Sequence, residues 1–244
     1  MNPFGGTQTT RGMRCVVMCG GRGSRFAGAA GHKSMAGVQG SPVLGHVIDY
    51  WRAYTDDFIF VVKTGKESVI DFVSGLPINA RFVEPPALRG IADGLLCAEQ
   101  LIDAPFMVAL GDCFCRGTFD FSEAFDYGIG VHRNARPESV RRNYAVTLDA
   151  ERVVAVEEKP QVVANEFCGM GFYFFQTGVF DHIRRTAPSR RTNELEITDV
   201  LQTIIDSGTP LRAVMFDGAY VNVNTPSELD VVAEALAARE GDAR

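Results

Sequence analysis

The sequence predicts an α/β fold built from parallel βαβ units. Two patterns in its first half carry that expectation. Apolar runs of strand length alternate with segments of helical spacing, and two of the apolar runs stop in short glycine-containing turns, at Gly20-Gly21 and at Gly111-Asp112. Crossovers between parallel strands are right-handed, and ligands of such sheets collect at the carboxyl ends of the strands. Both turns fall at such ends.

Residues 15–19, 58–62, 81–83 and 106–110 read as strands. Residues 43–54, 67–73 and 91–101 have helix-like spacing, the last with alanine, leucine and glutamate in good helix company. The middle of the chain differs. Residues 144–148, a polar turn at Asp149-Ala150-Glu151-Arg152 and residues 153–156 predict an antiparallel hairpin, and 167–175 reads as a further buried strand. A helix over 196–207, a strand over 211–216 and a last helix beginning near Pro226 complete the chain. Thr225 is placed to cap that helix, and proline suits its first turn. No repeat, linker or low-complexity stretch interrupts the 244 residues, so one domain is expected. Arg141-Arg142 and Arg190-Arg191 read as solvated loop charges.

A hydrophobic content of 46% allows a large core. The net charge of −6 argues against a nucleic-acid or membrane-surface partner, since both select for a basic face. No apolar run approaches the roughly 18 residues of a membrane span, and the polar N-terminus lacks the apolar stretch of a signal peptide, so a cytoplasmic protein is expected. The six cysteines lie mostly in apolar, strand-like stretches and read as reduced core thiols. Cys113-Phe114-Cys115 has no second pair and makes a poor zinc site.

The chemistry concentrates at the strand ends. Gly20, Gly21 and Gly23 let the backbone take positive φ and let an anion reach amide N–H groups, while Arg25 and Lys33 supply cations to a polyphosphate. A plain tight turn is the competing reading. A P-loop is excluded because Gly23 is followed by Ser24 and Arg25, and a dinucleotide fingerprint because Phe26 stands where helix and strand must pack closely. Asp112 follows five apolar residues, so the core does not explain it. A carboxylate beside a phosphate loop suits magnesium, a hard cation held with few protein ligands; the alternative is a cap. Asn222 offers a second oxygen at another strand end. Asn224 and Thr225 read as caps.

Six segments stand in the order of a known family: Gly20-Gly-Arg-Gly-Ser-Arg25 with Lys33, Leu110-Gly-Asp112, Glu157-Glu-Lys-Pro160, Gly171-Phe-Tyr-Phe, Glu196-Ile-Thr-Asp199 and Asn222-Val-Asn-Thr-Pro226. From about residue 15 to 229 the chain resembles the sugar-1-phosphate nucleotidyltransferases, the pyrophosphorylases that include glucose-1-phosphate thymidylyltransferase. The resemblance implies a Rossmann-like nucleotidyltransferase fold: a mixed, mostly parallel sheet with helices on both faces and a β-hairpin lid for the sugar. It implies a nucleotide-binding part over about 12–130 and a sugar-phosphate-binding part over about 140–230. It also implies transfer of a nucleotidyl group from a nucleoside triphosphate to a sugar 1-phosphate, with release of pyrophosphate. By the same resemblance Gly20, Gly21, Gly23, Ser24, Arg25 and Gly90 bind the nucleotide, and Lys33 meets the α-phosphate. Asp112 and Asn222 hold Mg2+. Lys159 binds the acceptor phosphate, Glu158 its hydroxyls, and Gly171 lets the sugar pack against backbone, with Phe172 and Tyr173 in the same wall. Arg25, Lys33 and Asp112 are the implied catalytic set. Association of the chain with itself is left open.

The chain also departs from the pattern. His32 and Ser34 flank Lys33 where prolines are common, and Pro85 falls where thymidylyltransferases place a base-reading glutamine, so nucleobase, sugar and pathway stay undetermined. Asn222 stands where those enzymes have aspartate. Asparagine there resembles uridylyltransferases, and Asn222-Val-Asn-Thr-Pro-Ser-Glu-Leu also resembles the molybdenum-cofactor guanylyltransferases. A non-sugar guanylyltransferase and a nucleotide-sensing module without turnover are the alternatives.

Overall fold

The structure is a computed structural model; it describes residues 13–21, 32–133 and 136–238. The strand β1 (Arg14–Cys19) is followed, after a 3-10 turn at Lys33–Met35, by the small ladder β2 (Gly37–Val38) and β3 (Ser41–Pro42). Helix α1 (Val43–Trp51), strand β4 (Asp57–Val62), helix α2 (Lys66–Ser74), strand β5 (Asn79–Val83), helix α3 (Ile91–Leu96) and strand β6 (Phe106–Leu110) then alternate as expected. Strands β7 (Cys113–Phe119) and β8 (Gly128–Arg133), helix α4 (Pro137–Arg142) and the hairpin β9 (Tyr144–Asp149) with β10 (Arg152–Glu158) form the middle. Strand β11 (Phe167–Phe175), helices α5 (Val179–Arg185) and α6 (Ile197–Asp206), strand β12 (Arg212–Asn222) and helix α7 (Pro226–Ala237) follow.

Among the described residues ten strands make one sheet in the order β5-β4-β1-β6-β11-β8-β12-β10-β9, with β7 on β12. The α/β expectation holds, but parallel pairing is confined to β5-β4-β1-β6 and to β8-β12; the other pairings are antiparallel, so the sheet is mostly parallel only in its first half. The predicted hairpin is present but does not stand free as a lid. It is hydrogen-bonded into the sheet on both sides, by β10 to β12 and by β9 to β11.

Helices cover both faces because alternate strand residues point to opposite sides. Cys15, Val17, Phe58, Phe60, Phe172 and Phe174 pack under α1, α2 and α7; Val16, Ile59, Phe106, Val108, Tyr173 and Phe175 pack under α3, α5 and α6. In α1 the buried residues Val43, Leu44, Val47, Ile48 and Trp51 recur at helical spacing, and Trp51 rests 5.3 Å from Phe172 between ring centres. Full burial of a side chain such as Phe172 stabilises the fold by about 1.5–3 kcal/mol.

Three elements differ from the sequence expectation. The helix expected over 91–101 ends at Leu96, because the N–H groups of Cys97, Ala98, Leu101 and Ile102 each bond the carbonyl three residues back and tighten the chain into 3-10 turns. The strand expected over 211–216 runs on to Asn222. Its polar Asp217-Gly218 stretch resembles a turn, yet here β12 and β7 leave no room for a side chain: Gly218 and Gly117 face each other with φ of 138° and 157°, and a Cβ on Gly117 would lie 2.0 Å from the Asp217 carbonyl oxygen. Arg141 and Arg142 are not loop charges but the last turn of α4, where cations suit the helix dipole.

All six cysteines are free thiols, five buried and Cys97 half-buried. No helix among the described residues is long and apolar enough to cross a membrane.

Candidate active site

A cavity of about 860 Å3 opens where the carboxyl ends of β1, β6 and β12 meet the ends of the hairpin and of α4. Gly20 and Gly21 leave β1 directly into it. Gly23, Ser24 and Arg25 lie outside the described residues, so the arginine of the loop has no described position. At the neighbouring strand end, Gly111 donates its N–H to Met18 O at 3.1 Å, which ties β6 to β1 one residue past the sheet register.

Asp112 follows, and the chain reverses at once into β7. Because β7 pairs with β12 and puts Cys113 opposite Asn222, the turn places Asp112 beside Asn222; Val223 N–H closes it on Asp112 O at 2.9 Å. The Asp112 side chain is 9% exposed and is ion-paired with the Lys33 ammonium, which also donates to Asn224 Oδ1 at 3.0 Å. Asn224 in turn donates to Asn222 Oδ1 at 2.9 Å. Lys33, Asp112 and Asn222 are thus brought together from distant parts of the chain. Asn224 is a member of this chain of bonds and not the helix cap that the sequence suggests. Thr225 does cap α7, in a capping box whose other half is Glu228: the N–H groups of Asn224 and Thr225 donate to Glu228 Oε2 at 2.5 and 2.8 Å, and Oε1 receives Arg142 at 2.8 Å.

Beside Lys33, His32 is buried. Its Nδ1 lies 2.6 Å from Ser34 Oγ. Burial pushes its pKa down, against the pull of Asp112.

The facing wall comes from β10 and β11. Glu158 ends β10, and Lys159 turns the chain with φ of 48°, its N–H donating to Asn143 O at 2.8 Å. The Lys159 ammonium lies 3.5 Å from Glu158 Oε1, and Arg191 reaches within 3.8 Å of the same oxygen while bonding Glu196 at 2.6 Å. Burial raises the Glu158 carboxyl, Lys159 opposes the rise and Glu196 adds to it. Tyr173 lines the cavity. Phe172, placed in the same wall by the sequence, points to the other side of the sheet and packs on Trp51, as strand alternation requires.

Two glycines have packing reasons that sequence does not reveal. Gly171 lines the cavity, but a Cβ there would meet Cys113 Sγ at 2.6 Å and the Leu110 side chain at 2.9 Å. Gly90 has φ of 105°, and its Cβ would lie 2.3 Å from Leu195 O, because residues 89–92 hydrogen-bond directly to Leu195. Around Gly90 the cavity wall is apolar: Met18, Val61, Pro85, Ala87, Leu88 and Ile91.

Sequence reasoning gave no role to Asn143, Thr198, Glu196 or Glu228, all of which line the cavity. The Thr-x-x-Glu spacing of Thr225 and Glu228 is a readable signal. Thr198 is 4% exposed and its hydroxyl has no hydrogen-bond partner among the described residues, a property only the fold discloses.

A Rossmann-like sheet whose strand ends pair a lysine and an aspartate across from a Glu-Lys hairpin end defines a class, and this chain belongs to it: residues 14–237 match the model of the nucleotidyl transferase family. The chain is 25% identical over 221 residues to the bifunctional protein GlmU of Methanocaldococcus jannaschii, covering 89% of this chain and 52% of that protein. It is 27% identical over 237 residues to the UTP–glucose-1-phosphate uridylyltransferase AglF of Haloferax volcanii, covering 92% and 96%. The chain therefore spans about half the length of its GlmU relatives and nearly all of AglF. Among solved structures, the inositol-1-phosphate CTP transferase of T. maritima superposes with a TM-score of 0.78 at 17% identity, covering 91% of this chain and 94% of that one.

Proposed function

We propose that this chain couples a nucleoside triphosphate to a sugar 1-phosphate, releasing pyrophosphate and forming a nucleotide-activated sugar. The observation that carries the reading is the division of one cavity into two chemically different walls. Asp112 and Asn222 at the strand ends stand with Lys33 of the 3-10 turn on one side, and Glu158 with Lys159 on the other. Family membership and the likeness to sugar-phosphate uridylyltransferases support it.

In this reading an oxygen of the acceptor phosphate attacks the α-phosphorus, and the bond to the bridging oxygen breaks, leaving pyrophosphate with the electron pair. Such chemistry needs little covalent help; it needs in-line positioning and neutralisation of charge. Lys33 supplies a cation to the α-phosphate. Lys159 anchors the acceptor phosphate, and Glu158 accepts hydrogen bonds from ring hydroxyls once ionised. The Gly20-Gly21 exit admits the triphosphate, and the apolar wall from Met18 to Ile91 takes the base.

Magnesium is part of the proposal. The donor set fits it: a carboxylate at Asp112 and an amide oxygen at Asn222, both hard oxygen donors at adjacent strand ends. Mg2+ takes one or two protein ligands and completes its shell with water and substrate phosphate. When bound it would neutralise the charge that develops on the departing pyrophosphate. A nucleoside triphosphate substrate also fits a cytoplasmic location.

The test is pyrophosphate release from each of the common nucleoside triphosphates against a panel of sugar 1-phosphates, with a pterin-linked acceptor as comparison. Release with a sugar phosphate is expected. Turnover confined to the pterin acceptor would hand the protein to the cofactor guanylyltransferases, and binding without turnover would make it a sensor.

A further inference from the structure

Asn143 closes helix α4 with φ of −111° and ψ of −128°, and all of its polar side-chain atoms are engaged. Its Nδ2 donates to Ser139 O at 2.9 Å, and its Oδ1 accepts from Asn222 Nδ2 at 2.8 Å. Its backbone oxygen accepts the Lys159 N–H at 2.8 Å, in the turn where Lys159 holds φ of 48°. One residue thus touches both walls of the cavity.

The order of these bonds has a direction. A backbone carbonyl can only accept, so Ser139 fixes which end of Asn143 carries the NH2 group. That leaves Asn143 Oδ1 as an acceptor, which can pair only with the NH2 end of Asn222. Asn222 is then obliged to turn Oδ1 toward Asn224, Lys33 and Asp112. Lys33 sets Asn224 in the same sense, taking its Oδ1 end and leaving its NH2 end for Asn222 Oδ1; once Lys33 moves to the α-phosphate, the Asn143 anchor still holds the amide, and without it Asn222 is free to turn its NH2 end, which repels a cation, toward the site.

We propose that Asn143 is a positioning residue: its side chain sets the amide face that Asn222 presents to the cation site, while its backbone oxygen independently seats Lys159. This rests on the nucleotidyltransferase reading above. Residues that orient a metal ligand typically change metal affinity or activity by about 10- to 100-fold when removed.

An aspartate at 222 has two equivalent oxygens and needs no orientation. In the presence of Asn143, however, one of those oxygens faces Asn143 Oδ1, acceptor against acceptor, so Asn222→Asp alone is impaired. Asn143→Ala removes the clash, and the aspartate removes the need for orientation. The double variant should therefore outperform either single one.

The experiment measures Mn2+ binding by electron paramagnetic resonance in the wild type, Asn143→Ala, Asn222→Asp and the double variant, with Asp112→Ala as the control that locates the site. Steady-state kinetics on the substrates the wild type turns over accompany it. The expected result is Mn2+ affinity and kcat lowered about 10- to 100-fold in Asn143→Ala, both recovered in the double variant, and an acceptor KM that stays put in Asn143→Ala because the backbone oxygen is retained. Unchanged Mn2+ affinity in Asn143→Ala, losses that multiply in the double variant, or a wild type without Asp112-dependent Mn2+ binding would each overturn the inference. A wild type that binds Mn2+ as expected but releases no pyrophosphate from any substrate pair would instead overturn the proposed reaction, and the binding cycle would still decide the role of Asn143.

Discussion

Gly171→Ala separates two explanations for a glycine in the cavity wall. The added methyl would lie 2.6 Å from Cys113 Sγ and 2.9 Å from Leu110 Cγ and Cδ1. Cys113 cannot easily give way: it is fully buried, and its Sγ sits 3.3 Å from Tyr220 OH, the same hydroxyl that accepts the Gly171 N–H at 3.0 Å. Overpacking of this kind costs about 1–3 kcal/mol. At this chain length each kcal/mol lowers Tm by about 2–4 °C, so a fall of about 2–12 °C by scanning calorimetry is expected. Cys113→Ala removes the closest clash and leaves the half-buried Leu110 to shift. In Gly171→Ala/Cys113→Ala both Tm and acceptor KM should return to those of Cys113→Ala, because the new methyl points at Cys113 and Leu110. Recovered stability with KM still raised would refute that reasoning and show that the substrate itself needs the glycine.

The remaining expectations concern the charged groups. Asp112→Asn should lower pyrophosphate release on the order of 100- to 1000-fold at unchanged Tm, and near-normal turnover at limiting Mg2+ would place the metal elsewhere. Lys33→Ala should act on kcat and Lys159→Ala on the acceptor KM, a contrast that initial-rate kinetics either shows or denies. Glu158 has its pKa raised from the ordinary 4.5, so above that pH the folded chain holds a proton the unfolded chain has lost. The stability Glu158 contributes is present below pH 4.5 and lost as pH climbs through the raised value; Glu158→Gln should flatten that decline in a pH series of melting curves.

The parallel half of the fold was legible because its strands are continuous apolar runs separated by helices of ordinary composition. β7 was not legible, since only the two residues Gly111-Asp112 separate it from β6, and a turn that short does not reveal that Cys113 to Phe119 runs back as a strand. The site divides in the same way. Asp112, Glu158 and Lys159 stand out as charges at the ends of apolar segments, and Lys33 as a cation beyond a glycine-rich turn. Asn143 and Thr198 do not, because an asparagine after a helix and a threonine within one are ordinary residues until the fold shows the partner of Asn143, 79 residues away, and the burial of Thr198. Phe172 was misplaced by treating neighbours on a strand as sharing a face.

The sheet's change of direction explains why the two walls meet at all. Up to β6 every pairing is parallel, so the chain ends at Gly20 and at Asp112 face the same way and gather amide groups, a lysine and a carboxylate. β11 then runs antiparallel beside β6, with Phe172 opposite Ala109, which puts Gly171 level with the exit of β6. Pairing continues through β8, β12, β10 and β9, and β9 returns to β11, so these five strands close into a ring. Closure carries the start of β9 and the end of β10 back to the β6 exit, where Asn143 meets Asn222 and Glu158 and Lys159 line the same cavity. A free-standing lid would have to be ordered by substrate at a cost in affinity. A hairpin held on both edges by backbone hydrogen bonds presents Glu158 and Lys159 already in place, so in the proposed reaction these side chains would meet the acceptor preorganised rather than by closure.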